Sequence, residues 1–125
     1  MPEVKWTDAQ LKAINTSDRS LLVSAAAGSG KTATLTERII RSITERGTDI
    51  SEMLIVTFTR AAVSELKARI SRALENAAAE NPDLRRQLYR LDSAKICTIH
   101  SFCLDILRPN FDRMGLPAKF RTLDE

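Results

Sequence analysis

Between the apolar run Leu21-Leu22-Val23 and a segment with helical spacing lies a loop of small residues, Ser24 to Thr34, reading SAAAGSGKTAT. Alanine, glycine and serine let the backbone approach a ligand closely, and a loop that only turned the chain would need neither the lysine nor the hydroxyl after it. The order of apolar run, small-residue loop and helix restricts the fold to those in which a strand delivers the chain to a helix N-terminus. Residues Ala25 to Thr32 follow the phosphate-loop spacing G-x-x-x-x-G-K-[ST], with Ala25 where the first glycine is usual. In such a loop, backbone N–H groups close around phosphate oxygens while the positive end of the helix dipole faces the same anion. Lys31 is then placed to reach the β- and γ-phosphates of a nucleoside triphosphate, and the Thr32 hydroxyl to ligate Mg²⁺.

The rest of the chain alternates in the same way. TDAQLKAIN starts a helix at Thr7, SLLVSA reads as a short apolar strand, and Thr32 to Arg46 sets Leu35, Ile39, Ile40 and Ile43 on one helix face that Gly47 can end. MLIVTF, Met53 to Phe58, reads as a second strand. Arg60 to Glu80 carries Val63, Leu66, Ile70, Ala73 and Leu74 at helical spacing, and Asn81-Pro82 breaks it. A short helix with Leu84, Leu88 and Leu91 precedes the strand-like AKICTI, Ala94 to Ile99, and then HSFCLDILR runs up to Pro109. Strands alternating with helices predict an α/β fold whose parallel sheet is flanked by helices on both faces.

At 125 residues and 43% hydrophobic, the chain can bury one modest core, so it forms one domain or part of one. No apolar run reaches the ~20 residues that span a bilayer, and MPEVKWTDAQ lacks a secretory pattern, which predicts a cytoplasmic protein with no membrane partner. Cys97 and Cys103, with only His100 nearby, do not make a zinc site and are expected as reduced, partly buried thiols. The net charge of +3 is too small to argue for nucleic acid, because most basic residues alternate with acidic ones.

Three further stretches narrow the function. Gln10 sits three residues after Thr7 and reads locally as the return half of a capping box, although its carboxamide also offers the donor and acceptor that an adenine edge requires. In TFTRAAVSELKARI, Thr57, Phe58 and Thr59 end a strand and Arg60 starts a helix. Ligands of open parallel sheets collect at such strand ends, where a ring for stacking and donors for phosphates suit single-stranded nucleic acid; alone, Phe58 reads more readily as a core residue. In TIHSFC, a strand ends in hydroxyl, imidazole, hydroxyl and aromatic, and His100 by itself reads as a structural hydrogen-bonding residue, not a catalyst.

Taken together, these stretches resemble the Rep-type superfamily 1 DNA helicases over roughly Trp6 to Glu125. Gln10 falls at that family's Q motif, AAAGSGKT at motif I, TFTRAAVSEL at motif Ia and TIHSF at motif Ib, in the family's order. Within the family, SAAAGSGKTATLTERII, TFTRAAVSEL, and TIHSFC followed by LRPNFDRMGLPAKFRTLDE are most similar to the large subunits of bacterial ATP-dependent helicase/nuclease complexes. Arg60 departs from the asparagine common in the family.

The resemblance implies a RecA-like P-loop NTPase core, of which residues 1–125 are the N-terminal part and 109–125 the lead-in to an inserted accessory domain. It implies that Gln10 contacts adenine and that Ala25, Ala26, Ala27, Gly28, Ser29, Gly30, Lys31, Thr32 and Ala33 form the ATP site, with Lys31 and Thr32 serving catalysis and Thr32 holding Mg²⁺. Thr57, Phe58, Thr59, Arg60, Thr98, His100 and Ser101 would line the path of single-stranded DNA. The implied activity is ATP-driven translocation, 3′→5′, and unwinding of duplex DNA in double-strand break repair, with an exonuclease in the complex and a partner, the second subunit of a heterodimer.

Such a motor also needs an acidic motif on an apolar strand and arginines from a second motor domain. Asp124-Glu125 in KFRTLDE lacks the apolar run, so this stretch reads as an N-terminal fragment that does not turn ATP over by itself. A small P-loop kinase would use Lys31 and Thr32 too, but neither a lid-like arginine cluster nor an acceptor-binding carboxylate follows the loop. A nucleotide-responsive interaction module without catalysis is the other alternative.

Overall fold

The structure, a computed structural model, describes residues 4–122. Helix α1 spans Asp8–Asn15, α2 Lys31–Thr44, α3 Arg60–Glu80, α4 Arg85–Leu91 and α5 Ile99–Leu107. Strands β1, Leu54–Thr57, and β2, Lys95–Thr98, pair in parallel, with Leu54 opposite Lys95 and Thr57 opposite Thr98. Because parallel neighbours need a crossover, the segment between them is the α3–α4 hairpin, which turns at Asn81-Pro82 where Asn81 Oδ1 accepts from the Asp83 N–H.

Alternation along the strands decides which face is buried. Ile55 and Ile96 point into the core, whereas Leu54, Val56 and Lys95 on the other face are exposed. Against Ile55 and Ile96 pack Leu66, Ile70 and Leu74 of α3, Ile39 and Ile43 of α2, Leu91 of α4, and Ile50 from the 3₁₀ turn before β1. Polar groups close the base of this core. Buried Gln87 accepts from the Ile50 N–H and donates to Asp49, which also pairs with Arg90.

The helical periods in the sequence are realised within a residue or two. The helix expected over Arg60 to Glu80 spans those residues, and α2 ends at Thr44 ahead of Gly47, whose φ of +69° is left-handed.

One expectation is corrected. SLLVSA is not a strand: residues 20–25 form no regular element, and Leu22 is 94% exposed. A strand needs a backbone ladder. β1 and β2 take one another, and no described strand lies beside 20–25, so apolar content alone does not order that segment. Helices lie on both faces of the sheet as expected: α2 and α3 cover the Ile55 side, while α5 lies against both strands with Asp105 on Lys95 at 3.2 Å, leaving Leu54 and Val56 partly open. Among the described residues, no helix is long and apolar enough to cross a membrane. Asp124-Glu125 and the end of the 109–125 stretch lie outside the described residues.

Candidate functional site

Two glycines shape the loop. Gly28 at φ +78° and Gly30 at φ +82° occupy the left-handed region, and the Ser29 N–H donates to the Ala26 carbonyl at 3.2 Å to tighten the turn. No non-glycine residue has a positive φ among the described residues, so Ala25 takes the place of the usual glycine without backbone strain. Gly30 caps α2 with no side-chain hydrogen bond, and the first amide engaged within the helix is that of Thr34, on the Gly30 carbonyl at 2.9 Å. The N–H groups of Lys31, Thr32 and Ala33 make none of the described hydrogen bonds, and they stand at the positive end of a 14-residue helix. An anion is what such an end binds.

Side chains complete the arrangement. Lys31 Nζ lies across the loop mouth, donating to the carbonyls of Ala25 at 2.7 Å and Ala26 at 3.2 Å. The Thr32 side chain is exposed, and its hydroxyl makes none of the described hydrogen bonds. A phosphate that took over the ammonium would meet three amides and one cation together, and the Thr32 hydroxyl offers the hard oxygen that Mg²⁺ prefers. The residues present thus fit a magnesium-bound polyphosphate.

Gln10 closes the capping box and also reaches the loop. Its Oε1 accepts from the Thr7 N–H at 2.9 Å while its own N–H donates to Thr7 Oγ1 at 3.3 Å, which is the capping box. Its Nε2 meanwhile donates to the Ser29 carbonyl at 3.2 Å. A Cβ at Gly30 would come within 3.1 Å of that nitrogen, so Gly30 serves both the turn and the approach of the carboxamide. Between α1, the segment 19–25, the loop and the start of α2 lies an open cleft of about 690 Å³, with Gln10, Lys31 and Arg38 among apolar Ala13, Val23 and Leu35. No carboxylate lines it among the described residues. Arg19 at its rim pairs with Asp18 at 2.6 Å, which holds that carboxyl below its ordinary range.

The second constellation lies where the strands end. The register sets Thr57 beside Thr98, so both strands stop abreast; β2 passes directly into α5, and β1 reaches α3 after Phe58 and Thr59. Phe58 is 83% exposed, which removes the core reading of that ring. Thr59 caps α3 by accepting from the Ala62 N–H at 3.1 Å, and Arg60 beside it is exposed. Thr98 is buried and caps α5 through the Ser101 N–H at 3.1 Å, with its hydroxyl also donating to Ser101 Oγ. The side chains presented there are therefore those of Phe58, Thr59, Arg60 and His100, with Thr57 and Ser101 half-buried behind them. No described hydrogen bond joins the loop 25–33 to either strand end.

Cys97 is half-buried and Cys103 exposed; both are free, and no cluster of three metal-binding side chains exists among the described residues. Sequence reading missed Arg38 on α2 and Arg46 in the turn after it, which reach the C-terminal carbonyls of α1. The available signal was that α1 ends in Asn15-Thr16-Ser17-Asp18, with no glycine to form the left-handed cap such ends commonly use.

Residues 6–125 match the family described as the UvrD/REP helicase N-terminal domain. The chain is 52% identical to an ATP-dependent helicase/nuclease subunit of Acetivibrio thermocellus, over 97% of this chain and 10% of that protein. It is 53% identical to the protein of the same name from Desulforamulus reducens, over 100% of this chain and 10% of that one. With the protein of that name from Bacillus licheniformis the identity is 53%, over 96% and 10%. The chain thus spans about a tenth of the length of the curated relatives it matches.

Proposed function

The chain belongs to the UvrD/REP helicase N-terminal domain family, and from that premise we propose that it is the ATP-binding N-terminal part of a RecA-like motor in a bacterial, cytoplasmic DNA helicase/nuclease. The observation that carries the proposal is the uncapped start of α2, where the amides of Lys31 to Ala33, the Lys31 ammonium and the Thr32 hydroxyl converge on one loop. Bound there, MgATP supplies a divalent cation to screen its phosphates and a transferable phosphoryl group. Lys31 would exchange its loop carbonyls for β- and γ-phosphate oxygens, Thr32 would offer its hydroxyl to the metal, and Gln10 would meet the adenine.

Single-stranded DNA runs across the abreast ends of β1 and β2. Phe58 stacks on a base, Arg60 and His100 face phosphates, and the amides beside Thr57, Thr59 and Ser101 lie along the same path. Thr98 contributes by holding the start of α5. Because the two constellations share no described hydrogen bond, coupling between them passes through the α2–α3 packing around Ile39, Ile43 and Ile70. Duplex DNA is the substrate unwound, and a second protein chain completes the complex, in keeping with relatives that are each named for one subunit of a helicase/nuclease.

Linkage supplies the test. In the full-length protein, a saturating oligothymidine should change the affinity for MgATP, and MgATP should change the affinity for the oligomer by the same factor. An affinity for ATP indifferent to DNA would remove the motor reading and leave a nucleotide-binding module.

A further inference from the structure

Helix α1 has eight residues, too few to hold its shape or position alone in water. Its last four carbonyls are nonetheless all engaged. The Lys12 carbonyl accepts from the Thr16 N–H at 3.1 Å and from Thr16 Oγ1 at 2.7 Å. Arg38 Nη1 donates to the Ala13 carbonyl at 2.6 Å and to that of Thr16, just past the helix, at 2.5 Å. Arg46 Nη2 donates to the Ile14 carbonyl at 3.2 Å and the Asn15 carbonyl at 3.1 Å. Both guanidinium groups come from α2 or the turn that ends it and sit at the negative end of the α1 dipole. Gln10, toward the opposite end of α1, meets the loop that starts α2.

We propose that Arg38 is a positioning residue for base recognition: by gripping the C-terminal carbonyls of α1 from α2, it fixes the Gln10 carboxamide relative to the phosphate loop, so that purine selectivity depends on it although it is not itself the base reader. The inference rests on the proposed reading of Gln10 as the adenine contact. Geometry gives the lever. Gln10 lies five residues, about 7.5 Å, from the last gripped residue of α1, so a tilt of about 8° there displaces it by about 1 Å. That is enough to spoil a hydrogen-bond pair on a base edge. Lysine is a poor substitute, since its ammonium ends one bond short of the Arg38 Nη1 that serves both carbonyls and sits on a flexible stem without the planar group that orients those N–H bonds. Arg46 shares the grip on α1, which leaves the helix attached when Arg38 is shortened.

The experiment measures equilibrium binding of the magnesium complexes of the non-hydrolysable imido analogues of ATP and GTP, and of inorganic tripolyphosphate, to the full-length protein. Variants are Arg38→Lys, Arg38→Met, Gln10→Ala and the Gln10→Ala/Arg38→Lys double mutant, each with its thermal midpoint. Gln10→Ala should narrow the preference for the adenine analogue by about tenfold or more; if it does not, the adenine reading fails and the role of Arg38 falls with it. Given that narrowing, Arg38→Lys should narrow the preference about threefold or more, leave tripolyphosphate affinity unchanged, and add nothing in the Gln10→Ala background. Arg38→Met should narrow it further where it folds, and Arg38→Lys alone decides the question where it does not. A preference untouched by Arg38→Lys, or equally narrowed by it with Gln10 absent, would overturn the inference while leaving the adenine reading in place.

Discussion

The stretch from Leu54 to Thr98 and the stretch from Ser20 to Gly30 both contain consecutive branched apolar residues, yet they end in opposite environments. In the first, Ile70 and Leu74 are completely buried; in the second, Leu22 is 94% exposed and its neighbours Leu21 and Val23 are open as well. The difference lies in partners. β1 finds a ladder in β2 and a cover in α3, all within the described chain, while residues 20–25 have neither beside them. Helix α2 belongs to both regions, since Ile39 and Ile43 sit in the core while Lys31 and Thr32 open onto the loop. A packed body thus carries an open end that its own packing does not fill.

Leu74→Ala probes the packed region at its centre and should cost about 2–5 kcal/mol, read as the fall in denaturant midpoint of the 125-residue chain. A loss below about 1 kcal/mol would mean that the core is looser than its burial indicates. Phe58→Ala comes next, and should weaken oligothymidine binding to the full-length protein by about 1–3 kcal/mol while leaving its unfolding temperature in place. If stability falls and DNA affinity holds, the ring is a packing residue and the contrast between exposed strand end and buried core breaks down. Leu22→Ser in the 125-residue chain carries the smallest effect, within about 0.5 kcal/mol. A cost approaching that of Leu74→Ala would show that residues 20–25 are packed in solution and would erase the contrast altogether.

What was legible in the sequence divides along the same line. Helices α2 and α3 announce themselves through apolar residues repeated every three or four positions, and Asn81-Pro82 marks the break because proline restricts the residue before it. The parallel pairing of β1 and β2 follows from the helical hairpin between them. SLLVSA carries the same local pattern as a buried strand, but pairing is non-local, and no property of those six residues states whether a neighbour will be present. At the site, the loop spacing named Lys31 and Thr32, and of the readings offered for Gln10 the capping box is formed, while the same carboxamide also touches Ser29, a contact no local spacing announces. The capping of α3 by Thr59 and of α5 by Thr98 was hidden because capping depends on where the strand stops. Arg38 and Arg46 were invisible because arginines on a helix read as solvated charge until the carbonyls they meet are known.

The central claim, that the open end of α2 is a nucleotide triphosphate site, is tested most directly by titrating MgATP into the full-length protein and its Lys31→Ala variant. Removing the only ammonium on the loop should cost about 2–5 kcal/mol of binding, about thirtyfold to several thousandfold in affinity, with the unfolding temperature of the nucleotide-free protein unchanged. An affinity for MgATP that is the same in both proteins would contradict the claim, because the cation facing the loop mouth would then have no part in holding the phosphates.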